Sequence, residues 1–338
     1  MYKRSSDLNF IERSRLSLSL KPILVAQIVI LDSLEKPAFS FKDGLFHKEI
    51  DANTGISIDF ISNYAKVVSS EIFLHKEDFN RINEKLNGEI VKLTRTLSHG
   101  DVKSKANKYI NLLSMQMANL YKDPFNDELL ANQYQSAKNL FHVIFQNKGI
   151  HKSLYHNLLK QAHHYTVAQP LLSSILLTSF LQTTGMFSEK EIQSYFLTSY
   201  FKDIGMSLIP REKFELAHIN EYDKKLFAEH AINSRRLLNS RIPLTMTQLN
   251  IIENHHFLNY KIQALITDSF TIDQSKMLSG VESTLLSSID IIVAMSTKRP
   301  YREAMSVFKA LELLKKVVAP EYPTEFKSLV IFLKNFYK

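Results

Sequence analysis

Only 8 glycines and 9 prolines punctuate these 338 residues, and that scarcity of turn-formers constrains the chain more than any other feature. A chain with so few breakers must run through long elements. Its apolar residues recur at three- and four-residue spacing, as one face of a helix requires. Ile82, Leu86, Ile90, Leu93 and Leu97 make one such stripe, and Ile110, Leu113, Met117 and Leu120 make another. Asp123-Pro-Phe-Asn-Asp127 reads as a helix boundary with a good N-cap residue. Leu171 to Leu181 is an apolar stretch ending at Gly185, a helix stop, and Ser188-Glu-Lys-Glu191 has capping-box spacing for the next helix.

The first 75 residues read differently. Pro22 to Leu31 and Ala38 to Phe41 are rich in β-branched or aromatic residues, and Lys42-Asp-Gly44 closes the second segment with a turn. Ser70 to His75 is a further strand candidate, with a helix beginning at Lys76. The expected fold is mainly α. A small α/β N-terminal module with a helical connector would occupy residues 1–148, and an all-α domain residues 149–338.

The absence of cysteine excludes disulfides, zinc ribbons and thiol catalysis. Any metal must be held by His, Asp or Glu, which favours iron, manganese or zinc. The net charge of +8 is spread among acidic residues rather than blocked, so it reads as a solvated basic surface. No basic tract with interleaved aromatics marks a nucleic-acid polymer as a partner. The longest apolar run, Pro22 to Leu31, is about half of what a membrane span needs. A soluble cytoplasmic protein is the expectation.

Eight of the twelve histidines fall between residues 151 and 256. Among the candidates for chemistry, Asp203 lies in Lys202-Asp-Ile-Gly-Met-Ser-Leu-Ile-Pro210, and His255-His256 follows an apolar helical segment. Asp290 sits inside the very apolar run Leu285 to Met295, where a lone carboxylate needs a cation, a proton or a hydrogen-bonding partner. No single element identifies a function, and His163-His164 shows that histidine pairs recur here without evident meaning.

Their order is more informative. Asp203-Ile-Gly205 with Ile209-Pro210, then His230, then His255-His256, then Asp290 nine residues before Arg299-Pro-Tyr-Arg302, resembles the HD-GYP domain over about residues 150–320. That family belongs to the HD hydrolases. The resemblance implies a helical domain in which Asp203, His230, His255, His256 and Asp290 bind metal and Arg299 and Arg302 meet a ligand. It also implies the family's chemistry, in which two or three iron or manganese ions activate water against a cyclic di-GMP phosphodiester.

The pattern is incomplete. Lys202 stands where the family has the histidine of its HD dyad, and Met206 where it has a phosphate-binding lysine. The first-helix histidine falls near Gln169, unless His163 or His164 replaces it, the GYP loop is missing after His256, and Val293 replaces a second aspartate. Tyr260 is not at GYP spacing. The surviving residues would hold one iron or manganese ion, or none. Two placements of Lys202 remain open: its ammonium fills the vacated cation position between Asp203 and Asp290, or it points to solvent. The expectation is an impaired or inactive phosphodiesterase that binds a cyclic dinucleotide or a signalling protein. The alternative is an active enzyme with a remodelled site.

Overall fold

The computed structural model describes residues 19–42, 44–56, 71–160, 164–267 and 280–338. The expected strand Pro22 to Leu31 is shorter than the apolar run: β1 (Leu20–Leu24) gives way to a 3-10 turn over Val25–Ile30. Gln27 is the reason. Its buried side chain accepts from the Leu24 backbone N–H at 3.1 Å and donates to the Met115 carbonyl at 3.2 Å and Asn119 Oδ1 at 3.0 Å. Those partners exist only where the chain curls, and an extended strand would bury the amide unpaired.

Three more strands follow: β2 (Ala38–Lys42), β3 (Leu45–Ile50) and β4 (Glu71–His75). They join β1 in an antiparallel sheet of order β1-β4-β2-β3. In β4, Ile72 and Leu74 are buried and alternate with half-buried neighbours, the pattern of a sheet with one face on a core. The strand β3 was not anticipated. Half of its residues are exposed at the sheet edge, so the apolar alternation that announces a strand is missing.

Helix α1 (Lys76–Thr94) runs directly from β4, and α2 (Val102–Lys122) and α3 (Asp127–Gln146) pack beside it. Their expected stripes are buried: Ile82, Leu86 and Ile90 on α1, and Ile110, Leu113, Met117 and Leu120 on α2. Leu97 is buried too, in the turn beyond α1 rather than on it. Asn126 caps α3 by accepting from the Leu129 N–H at 3.1 Å.

The remainder is helical: α4 (His151–Lys160), α5 (Tyr165–Thr184), α6 (Glu189–Phe201), α7 (Glu221–Ala228), α8 (His230–Leu238), α9 (Met246–Glu253), α10 (Phe257–Thr267), α11 (Val281–Ser296), α12 (Val307–Val317) and α13 (Pro323–Phe336). Gly185 ends α5 at φ 66°, a left-handed conformation that favours glycine, and Ser188 with Glu191 forms the expected capping box on α6. Helices α5 and α11 are apolar nearly all round and form the centre, with α6, α8 and α9 on one side. Pro170 lies within α5 and cannot donate to the Thr166 carbonyl, but the Tyr121 hydroxyl from α2 lies 3.2 Å from that oxygen and replaces the lost donor. No helix among the described residues is long and apolar enough to cross a membrane.

Candidate metal and ligand site

Asp203, His230, His255, His256 and Asp290 converge where the junction after α6, the start of α8, the turn between α9 and α10 and the middle of α11 meet. Helix α6 ends at Phe201, and a short 3-10 turn over Ile204–Leu208 follows, placing Lys202 and Asp203 at the junction. Gly205 makes that junction possible. A Cβ there would lie 2.1 Å from the His230 carbonyl and 2.5 Å from the Ser234 N–H. The Gly205 N–H instead donates to Ser234 Oγ at 2.8 Å, clamping the turn onto α8 and bringing Asp203 opposite His230.

Three imidazoles meet here. The Nε2 atoms of His230 and His255 are 3.2 Å apart, as are those of His230 and His256. Asp203 Oδ1 lies 3.2 Å from His230 Nε2 and 3.3 Å from His255 Nε2. On the far side of two rings, Nδ1 faces a carbonyl oxygen: His230 reaches Phe227 at 2.5 Å and His255 reaches Ile252 at 2.6 Å. A carbonyl only accepts, so each Nδ1 carries a proton, and in the neutral ring each Nε2 presents a lone pair. The two lone pairs therefore face each other and a carboxylate oxygen.

Facing lone pairs of this kind suit a cation, and nitrogens at this spacing suit an ion with bonds of about 2.0–2.1 Å to imidazole; His256 Nδ1 accepts from Asn259 Nδ2 at 3.0 Å. Burial holds His255 below the ordinary histidine range, only partly offset by Asp203. Burial and the neighbouring imidazoles hold His256 well below it. Neutral rings with Nδ1 fixed by outer partners are what metal ligation requires. Among the described residues this is the group of three or more His, Asp or Glu side chains that could hold an ion.

The adjoining position is occupied by protein. Lys202 is 0% exposed, and its ammonium pairs with Asp203 Oδ2 and with Asp290 Oδ1, the latter at 2.7 Å. Of the two placements left open, burial between the carboxylates is the one found. Desolvation opposes the charge on Lys202, but Asp203 and Asp290 outweigh it and raise its pKa above the ordinary lysine value. Burial likewise pushes the Asp203 carboxyl up, and the Lys202 ammonium prevails, holding it well below the usual range. Asp290 Oδ1 also accepts from Gln169 Nε2 at 2.8 Å and lies 3.3 Å from Ser173 Oγ. All of these contacts converge on Asp290 Oδ1.

Gln169, at the position where the first-helix histidine was expected, accepts from Arg299 through its amide oxygen. Arg299 is buried, with its guanidinium 4.0 Å from the centre of the Tyr165 ring, so it braces α5 against the segment after α11. Arg302 donates from Nη2 to the Ala294 carbonyl at 2.5 Å. His163 lies outside the described residues. His164 caps α5 and faces Thr166 and Glu215 instead of the imidazole cluster. Val293 is buried in α11, and Tyr260 is exposed on α10.

Sequence reasoning missed Ser173, Ser234 and Tyr165. Serines and tyrosines that serve as second partners carry no spacing signal, and only the crossing of α5, α8 and α11 gives them a role.

The sequence matches no family model and no curated protein. In structure it is similar to Bd1817, an HDG"Y"P protein from Bdellovibrio bacteriovorus, with a TM-score of 0.61 at 15% identity over 93% of this chain and 99% of that one. At that identity the likeness concerns the fold: the chain has an HD-GYP-like helical fold preceded by a small four-stranded sheet.

Proposed function

We propose that this chain is a divergent HD-GYP-like protein of the cytoplasm that has traded one metal position for a fixed internal cation. In this reading it acts in cyclic di-GMP-related signalling by binding a cyclic dinucleotide or a signalling protein, and it is impaired as a phosphodiesterase. The single observation that carries the reading is the buried Lys202 ammonium between Asp203 and Asp290. A charged lysine has no lone pair and cannot be a ligand, and Asp290 is committed to it. Two further substitutions support loss of turnover. Met206 cannot contact phosphate as a lysine would, and Gln169 is held by Asp290 and Arg299.

The remaining cluster supports one divalent ion, iron or manganese, held by His230, His255, His256 and Asp203. When bound, such an ion lowers the pKa of a coordinated water. This chain's own residues then orient the rings through the Phe227 and Ile252 carbonyls and keep Asp203 ionised through Lys202. That single-ion set also favours a second reading, an active metal-dependent phosphodiesterase with a remodelled site.

Anaerobic incubation of the purified protein with ferrous iron or manganese and cyclic di-GMP separates the two. The expected outcome is no product beside an active control. Linear or mononucleotide product that disappears in His255→Ala would overturn the binding-only reading in favour of the second.

A further inference from the structure

A large cavity lies between the N-terminal sheet and the helical bundle, on the side of the Ile204–Leu208 turn away from α8. Its volume is about 970 Å³, and its walls come from β1, β4, α2, the start of α5 and the turn itself. None of His230, His255, His256 or Asp290 lines it. Gly205 faces α8 so closely that no side chain fits, whereas Met206 and Ser207 line the cavity.

The walls are mainly apolar, formed by Leu24, Phe73, Met115, Ala118, Met206 and Phe214 among others. On α2, Asn111, Met115, Ala118 and Lys122 follow at helical spacing along one stripe. Each is only half-buried, although residues on the opposite face, such as Ile110, Leu113 and Met117, are fully buried. A stripe with Met115 and Ala118 at its centre that looks into a cavity of this size suits a small-molecule site in both volume and lining.

The polar groups in the walls define the chemistry of the occupant. The cationic side chain, Lys122, pairs with Glu71, and His164 Nε2 lies 3.3 Å from Glu215 without a hydrogen bond. The Tyr121 hydroxyl is engaged by the Thr166 and Asp203 carbonyls, and Ser114 donates to the Ile110 carbonyl. Three buried atoms in the lining have no hydrogen-bond partner: the Asn111 side-chain carbonyl Oδ1, His164 Nε2 and Ser207 Oγ. Unpaired buried polar atoms are uncommon in folded proteins, and these three share the lining of one cavity.

We infer that this cavity is a ligand site for an uncharged, largely apolar small molecule carrying a hydrogen-bond donor that Asn111 Oδ1 accepts. The site is separate from the metal-type cluster and does not depend on the function proposed above. It touches that cluster only through the backbone: the Tyr121 hydroxyl at the cavity wall lies 3.2 Å from the Asp203 carbonyl.

The test uses the full chain and N-phenyl-1-naphthylamine, a neutral fluorescent probe with an apolar body and one N–H donor. Saturable binding at one site per chain is expected. Ala118→Trp, which fills the cavity, should weaken binding by at least about tenfold, and 8-anilinonaphthalene-1-sulfonate, with a similar body plus a sulfonate, should also bind at least about tenfold more weakly. Should Ala118→Trp fail to fold, Leu24→Trp fills the space from the opposite wall. Absence of saturable binding would overturn the site. So would unchanged affinity in a folded tryptophan variant. Equal or tighter binding of the sulfonate would overturn the uncharged class of ligand.

Discussion

At the residue scale, Lys202 holds together charges that otherwise repel. Asp203 and Asp290 approach one ammonium from the junction after α6 and from α11, and all three groups are nearly inaccessible to water. Removing one partner of a buried ion pair leaves an uncompensated charge and costs about 3–5 kcal/mol. Lys202→Met should therefore lower the melting temperature sharply, as read by circular dichroism. Adding Asp290→Asn to that variant should recover part of the loss, with a coupling of about 1–3 kcal/mol in the double-mutant cycle. Strict additivity would mean that the two side chains do not interact. The histidines predict a pH dependence of the metal-free protein. His255 and His256 titrate below the unfolded value of about 6.5, so the unfolded chain takes up protons that the native cluster refuses. Stability should fall as pH drops from about 6.5, and His255→Ala should flatten that slope in urea titrations at successive pH values.

At the element scale, two helices are shaped by contacts from distant parts of the chain. The 3-10 turn after α6 closes onto α8 only because Gly205 has no side chain. Gly205→Ala should push the turn away from His230, destabilise the protein by well over the ~1 kcal/mol typical of a point substitution, and weaken metal retention. A stable variant with normal metal content would show that the turn tolerates displacement. Helix α5 carries Pro170, and the carbonyl it leaves without a donor is met by Tyr121 from α2. Tyr121→Phe should cost about 1–3 kcal/mol, the penalty for an unsatisfied buried acceptor, with no change in helix content.

At the scale of the whole molecule, the central prediction is stoichiometry. One set of converging imidazoles beside an internal ammonium should bind no more than one iron or manganese ion per chain, measured by mass spectrometry of the anaerobically loaded protein. Loading should raise stability by about 2.7 kcal/mol when free metal exceeds its dissociation constant a hundredfold. Two ions per chain would contradict the commitment of Asp290 to Lys202 and Gln169. An effect of N-phenyl-1-naphthylamine on metal affinity would couple the cavity to the cluster through Tyr121 and the Asp203 backbone.

What the sequence determined by itself was local or ordered along the chain. Helical spacing placed α1 and α2, glycine and capping chemistry ended α5 and began α6, and the succession Asp203, His230, His255-His256, Asp290 marked residues that the fold collects around one site. These signals survive in one dimension because propensity, periodicity and motif order are properties of neighbours and of spacing. Tertiary structure decided the rest. Whether Lys202 faced solvent or two carboxylates depended on where α11 crosses α6. The curl after β1 depended on Gln27 finding α2 about ninety residues away. The edge strand β3, half of whose residues are exposed, has almost no apolar pattern to announce it. The cavity is lined by residues of the sheet and of the bundle, and packing between remote elements leaves no trace in the spacing of residues along a chain.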